Sequence, residues 1–369
     1  MKFELWVLNL FYLLKSLNSC YNITIMEKEK PDFIWSICGH QNIVNFLQQS
    51  IKNKNLAHAY LFVGSNSVGK EAVAKEFMAS VFCETKDGHI PCGECPHCSQ
   101  IKRGLHPDVY FVEKTVDEKT GKAKKDIVIE QIRDLKNRLS QGTLMNSYKV
   151  ALIPEVQHLN ISAANALLKV LEEPTPKTIL ILIADNINSL PKTIMSRCQV
   201  IKFLPVPEKE IENYLIKECS AFPEEAKKLA RLALGRPGSA ISFFKNKESL
   251  ADYQENIRRL FELFSKSIGE RFDLIDELID FETDETLNRE KLSAVFSGWQ
   301  AALRDILLIK SDNEPVVANL DFLPASKKAA DQLSFKRLKN ILNLIDQAKV
   351  FFRQNVNSKS VLENLIINL

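Results

Sequence analysis

Gly64-Ser-Asn-Ser-Val-Gly69-Lys70-Glu71 combines a glycine-framed turn with a lysine, the residue types that hold phosphate. Backbone N–H groups of such a turn, placed at a helix start, point at an anion, and Lys70 adds a positive charge at the outer phosphates. The next position calls for a Ser or Thr hydroxyl to hold Mg²⁺, and it is Glu71. A second half-site shows the same loss. The apolar run Lys149-Val-Ala-Leu-Ile153 should end in an Asp-Glu pair, the Asp anchoring the metal shell and the Glu polarising water. It ends in Pro154-Glu155, and proline offers no ligand oxygen. Gly64, Gly69 and Lys70 therefore frame a degenerate nucleotide site, with ATP or ADP binding weak or absent and hydrolysis with it.

Four of the eight cysteines, Cys83, Cys92, Cys95 and Cys98, follow the spacing C-x8-C-x2-C-x2-C among the turn residues Gly88, Pro91, Gly93 and Pro96. Four thiolates close a tetrahedral Zn²⁺ shell, which makes the expected metal structural. Disulfides are the rival, disfavoured beside an intracellular nucleotide-binding fold. Cys20, Cys38, Cys198 and Cys219 lack such spacing, and His89 and His97 find no vacancy in a four-cysteine shell.

The elements that must position these groups alternate. Ile43, Phe46, Leu47 and Ile51 have helical spacing; Ala59 to Val63 is a short apolar strand; Ala72 to Phe82 continues as a helix. Residues 108–112, 149–153 and 178–184 read as further buried strands, with a helix marked by Ile129, Ile132, Leu135 and Leu139. Continuous apolar strands alternating with helices imply a parallel sheet covered on both faces. Residues 113–126 carry nine charges in fourteen positions and read as a solvated loop without function. After Pro205 and Pro207 the strands stop. Residues 205–247 form a small helical unit with a Gly235-Arg-Pro-Gly238 turn, and 250–369 is all helical, with stripes at Ile257, Leu260, Phe261, Phe264 and at Leu338, Ile341, Leu342, Ile345.

The chain has 369 residues, 45% hydrophobic and 26% charged, ordinary for a soluble protein of two or three domains. A net charge of +3 does not mark a strong nucleic-acid binder, so any DNA contact is local or shared with partners. Residues 1–25 stand apart. The apolar run Leu5–Leu14 is shorter than the roughly 20 residues that span a bilayer, and Glu4 offsets Lys2 in what should be a basic leader. Met26 provides a second start, so this extension is expected to be untranslated, with a tail or a signal as alternatives; the expected location is cytoplasmic, away from membranes.

These residues together resemble the bacterial clamp-loader ATPase family of DNA polymerase III. The resemblance rests on the zinc spacing next to the phosphate-loop helix, on Leu56-Ala-His-Ala-Tyr-Leu-Phe62, Gly104-Leu-His-Pro-Asp108, Ala163 to Pro174, Ser196-Arg197-Cys198, and Asn355-Val-Asn357 before Val361–Leu365. It covers about residue 33 to the end. It implies an α/β AAA+ P-loop domain (33–204) with an inserted zinc module (83–98), a helical lid (205–247) and an all-α collar (250–369). Glu71 and Pro154, the His-Pro-Asp and Ala-Ala-Asn-Ala-Leu-Leu strings, Gly238 where gamma/tau members carry a phosphate-sensing arginine, and the lack of a long tail all point to the delta-prime branch. Arg236 lies at the wrong offset for that sensor.

The resemblance further implies a stator subunit of the DNA polymerase III holoenzyme, a DNA-directed DNA polymerase, with gamma/tau and delta subunits, the sliding clamp and primed DNA as partners. It gives Arg197 the role of reaching a neighbour's γ-phosphate in trans. Glu155 is expected to be a structural remnant and Asn186 scaffolding. A motor using Glu71 as a Mg²⁺ ligand, and a nucleotide-independent assembly adaptor, are the alternatives. No clustered carboxylates support polymerase or nuclease chemistry in this chain.

Overall fold

The computed structural model describes residues 32–85, 89–115, 126–142, 148–278, 285–353 and 356–369. The N-terminal extension 1–25 and most of the charged run 113–126 lie outside them.

Seven strands are described: β1 (Asp32–Phe33), β2 (Ala59–Val63), β3 (His89–Ile90), β4 (Val109–Phe111), β5 (Lys149–Ile153), β6 (Thr178–Ala184) and β7 (Gln199–Lys202). Five of them form one parallel sheet in the order β4-β5-β6-β2-β7, with Val63 opposite Ala184 and Ile153 opposite Leu182. Each buried strand supplies both layers of core. Tyr60, Phe62, Val150, Leu152, Ile179 and Ile181 face helices Gln41–Lys52 and Lys70–Phe82. Their neighbours Ala59, Leu61, Ala151, Ile153, Leu180 and Leu182 face helices Ile129–Ser140 and Ile161–Glu172. Two covered faces require apolar residues at every position, which is why these strands read as unbroken apolar runs. Buried Lys149 and Thr178, at the starts of β5 and β6, are exceptions, Thr178 hydrogen-bonding to Thr175 and Lys149 closing a helix end. The Lys149 ammonium donates to the carbonyls of Arg138, Leu139 and Gln141, offsetting the negative end of helix 129–140.

The C-terminal edge of the sheet positions the site. Gly64 follows β2, Pro154 follows β5 and Asp185 follows β6, so three loops meet where parallel α/β sheets present ligands. β1 and β3 pair separately, joining the chain before the sheet to the start of the cysteine segment.

Beyond Pro207 the described residues are helical. Helices Glu208–Cys219, Pro223–Leu232 and Pro237–Lys245 are followed by Lys247–Ser265, Ile268–Leu278, Glu285–Lys310, Leu323–Gln332, Phe335–Arg353 and Ser358–Ile367. One continuous apolar cluster runs from Val206 and Ile211 to Leu369, with Phe296 and Trp299 fully buried inside it. Lys291–Lys310 has the length and hydropathy to cross a membrane, yet over half of its apolar stretch is buried here as a core helix. Its Asp305 is wholly buried and accepts hydrogen bonds from the backbone N–H groups of Ala318 (3.0 Å) and Asn319 (2.8 Å) and from the Asn319 amide (2.7 Å). The Tyr253 hydroxyl, on helix 247–265, completes this cluster through Asn319 Oδ1 at 3.0 Å.

Candidate functional site

The phosphate loop forms as its glycines require. Gly69 caps helix 70–82 at φ +113°, a conformation L side chains rarely adopt. A Cβ on Gly64 would lie 2.6 Å from the Phe203 carbonyl oxygen, so β7's exit leaves no space for a side chain. His40 braces the turn from outside: its Nε2 lies 2.8 Å from the Val68 carbonyl oxygen, and its ring meets Phe203 edge-on. Burial lowers the His40 pKa, with the Val68 hydrogen bond opposing. The neutral ring donates from Nε2.

Lys70 is folded into its own loop. Its ammonium donates to the Gly64 carbonyl, to Ser65 O at 2.9 Å and to Asp185 Oδ1 at 3.3 Å. Burial lowers its pKa, and Asp185 opposes that shift. The cleft around it, about 590 Å³, is lined by Asn66–Ser67, Gly69–Ala72, Val112–Lys114, Pro154–Glu155, Asp185 and Gly238 among others.

The glutamates of the two half-sites, Glu71 in the metal-hydroxyl position and Glu155 beside Pro154, are each paired with a lysine. Glu71 pairs with Lys75 one turn along its own helix, at 2.7 Å and largely exposed. Glu155 is neutralised by Lys114 Nζ at 3.0 Å, a lysine whose side chain is only 17% exposed. Lys114 departs from the reading of 113–126 as a solvated loop, since it is half-buried at the cleft, while residues 116–125 lie outside the described residues. A lysine inside a charge run carries no sequence signal of burial; only the fold brings it over Glu155. Asp185, also missed, had a signal, being the first polar residue after the seven-residue apolar strand β6.

Gly238 leaves no room for a side chain against the phosphate loop. Its N–H donates to Ser67 O at 2.8 Å, and a Cβ there would sit 2.9 Å from that oxygen. The helical region thus touches the phosphate loop backbone to backbone, at the place where the resemblance gives gamma/tau members an arginine. Arg236 turns back to donate from Nε to Ala233 O at 3.1 Å. Asn186 caps the turn 187–189 by accepting from Asn188 N at 2.9 Å, a local structural contact.

Arg197 is absent from the lining of this cleft. It follows the short helix Lys192–Met195, donating from Nη1 to Thr193 O at 3.0 Å and Ser196 Oγ at 3.3 Å, while Nη2 lies 2.7 Å from Glu172 Oε1. Beside it the Cys198 thiol packs on the core, and burial pushes its pKa up to about 12.

The sulfurs of Cys83, Cys92, Cys95 and Cys98 all lie within 4.8 Å of one another, and Cys92 Sγ and Cys98 Sγ are 3.9 Å apart. A tetrahedron of ~2.3 Å Zn–S bonds has S···S edges of about 3.8 Å, so the four thiols fit one metal ion. A hydrogen bond from the Thr85 side chain, aided by backbone N–H groups, brings the Cys92 thiol down to about 6. His97 stays outside this set. Its Nδ1 meets His106 Nε2 at 2.8 Å and its Nε2 meets Glu84 at 2.9 Å, while His106 Nδ1 accepts from Asp108 N at 3.2 Å. The acceptor role of His106 Nδ1 fixes the order: His106 Nε2–H donates to His97, and His97 Nε2–H donates to Glu84. Gly104-Leu-His-Pro-Asp108 is thereby tied to the cysteine segment.

Residues 39–207 match the family model described as DNA polymerase III, delta subunit. The chain is 30% identical to DNA polymerase III subunit delta' of Bacillus subtilis (strain 168), covering 89% of this chain and 95% of that protein. It is 34% identical to subunit delta' of Pseudomonas aeruginosa over 55% of this chain and 61% of that one. The gamma subunit from Buchnera aphidicola (subsp. Acyrthosiphon pisum) is 27% identical over 77% of this chain and 78% of its own length. The chain belongs to the DNA polymerase III delta-prime family of bacterial clamp-loader proteins.

Proposed function

We propose that this protein is the stator of a clamp-loader ring in the bacterial cytoplasm, where it joins gamma/tau and delta subunits that load a sliding clamp on primed DNA. In this reading residues 205–247 serve as the lid, 250–369 as the collar that joins the ring, and the four cysteines hold a structural Zn²⁺. Its own site does not turn over ATP. Instead, Arg197 enters a neighbour's site and stabilises charge on the transferring phosphoryl group.

The observation that carries the reading is the paired state of Glu155. A carboxylate that should polarise water is neutralised by Lys114, beside a proline and a glutamate where metal ligands belong. A motor built on Glu71 as metal ligand is disfavoured by the Glu71–Lys75 pair.

The test is clamp- and DNA-stimulated ATP turnover by the complex reconstituted with this chain as wild type or Arg197→Ala. Arginines supplied in trans contribute ~10³ to 10⁵ in rate in other systems; a loss of at least about tenfold in an assembled ring is expected here. Unchanged turnover would leave the chain an assembly adaptor.

A further inference from the structure

Arg197 is held by one acidic side chain, and that side chain stands where it does not favour its own helix. Glu172 is the last residue of helix Ile161–Glu172, where the helix dipole disfavours a carboxylate. Its neighbour Glu173, also exposed, makes no ion pair among the described residues, whereas Glu172 meets Arg197 Nη2 at 2.7 Å. The guanidinium is fixed from two directions: Thr193 O and Ser196 Oγ take Nη1, and Glu172 takes Nη2. Two of its five N–H groups, on Nε and Nη2, remain for an incoming oxyanion. The Arg197 side chain is 35% exposed and Glu172 48%, so solvent screens the pair. Such pairs order a side chain without locking it.

We propose that Glu172 is the positioning residue of Arg197, holding the guanidinium preoriented at the end of helix 161–172 for delivery to a neighbouring subunit's phosphate. The proposal rests on the reading of Arg197 as a trans-acting arginine. Orientation prepared before assembly removes the cost of ordering a long side chain in the reacting complex.

The test is a double-mutant cycle in the reconstituted complex, on rings isolated by size, reading kcat and KM for ATP. Glu172→Ala is expected to lower kcat by roughly tenfold with KM unchanged, a loss of the kind that misplacing a reacting group produces. Glu172→Gln, which keeps an acceptor oxygen, should recover part of it. Glu173→Ala removes the same charge one residue away and should leave turnover as wild type. In an Arg197→Ala background, Glu172→Ala should cost nothing further. Wild-type turnover with Glu172→Ala, or a loss that multiplies onto that of Arg197→Ala, overturns the proposal. Full turnover with Arg197→Ala alone instead overturns the trans-arginine reading, so the two failures are distinguishable.

Discussion

Single positions in this site are decided by space as much as by charge. Gly64 and Gly238 each face a backbone oxygen at under 3 Å from a built Cβ, so neither can accept alanine without main-chain movement. Gly64→Ala and Gly238→Ala are each expected to destabilise the protein by about 1–3 kcal/mol, the range for overpacking, measured by denaturant unfolding. A stability equal to wild type would show that the loop yields easily. Lys114 makes a different prediction. Restoring ligands with Glu71→Thr and Pro154→Asp should leave Mg²⁺·ATP binding weak while the ammonium sits on Glu155, and adding Lys114→Met should raise it, as calorimetric titration would show. His40 adds a pH dependence. Its pKa is lowered in the fold, so the unfolded chain takes up protons more readily below about 6.5. Stability is full above that value and falls as pH drops toward the folded pKa. Melting curves of wild type should decline through this window, and His40→Gln should flatten part of the decline.

Elements buried on two faces were the ones most legible in the sequence. β2, β5 and β6 stand where their apolar runs predicted, and the helices bearing Ile43 to Ile51 and Ile129 to Leu139 span the expected residues. β7 was not foreseen: Gln199-Val-Ile-Lys202 is an edge strand with one buried residue, too short and too polar to signal itself. β1 and β3, two residues each, gave no periodicity at all. The cysteine cluster was legible because metal chemistry fixes ligand spacing, while the Lys114–Glu155 and Arg197–Glu172 pairs were not, since residues 41 and 25 apart meet only through the fold. Asp305 belongs here too. It joins helix 285–310 to the 318–319 segment by three hydrogen bonds that its fully buried carboxylate accepts, so Asp305→Ala strands several donors at once. A loss of about 3 kcal/mol is expected from thermal or denaturant unfolding, and a change below about 1 kcal/mol would show that water replaces the carboxylate.

At the scale of the whole molecule, the cysteine segment ties the chain before the sheet, through β1 and β3, to helix 70–82. One equivalent of zinc is expected by elemental analysis. Chelation should raise hydrogen exchange across residues 83–102 and in β1, while β2, β5 and β6 stay protected. Unchanged exchange after metal loss would reduce the cluster to a passive ornament on the sheet. The contact of Gly238 with Ser67 has the widest reach. Ring ATPases translate the contents of their pockets into the angle between two lobes, and so sense the cell's energy charge. Here the two lobes already meet through a main-chain hydrogen bond at the phosphate loop, a contact that neither ATP nor ADP supplies. Within the ring proposed above, a contact made by the protein's own backbone would serve as a fixed datum, the same whether the cell is fed or starved.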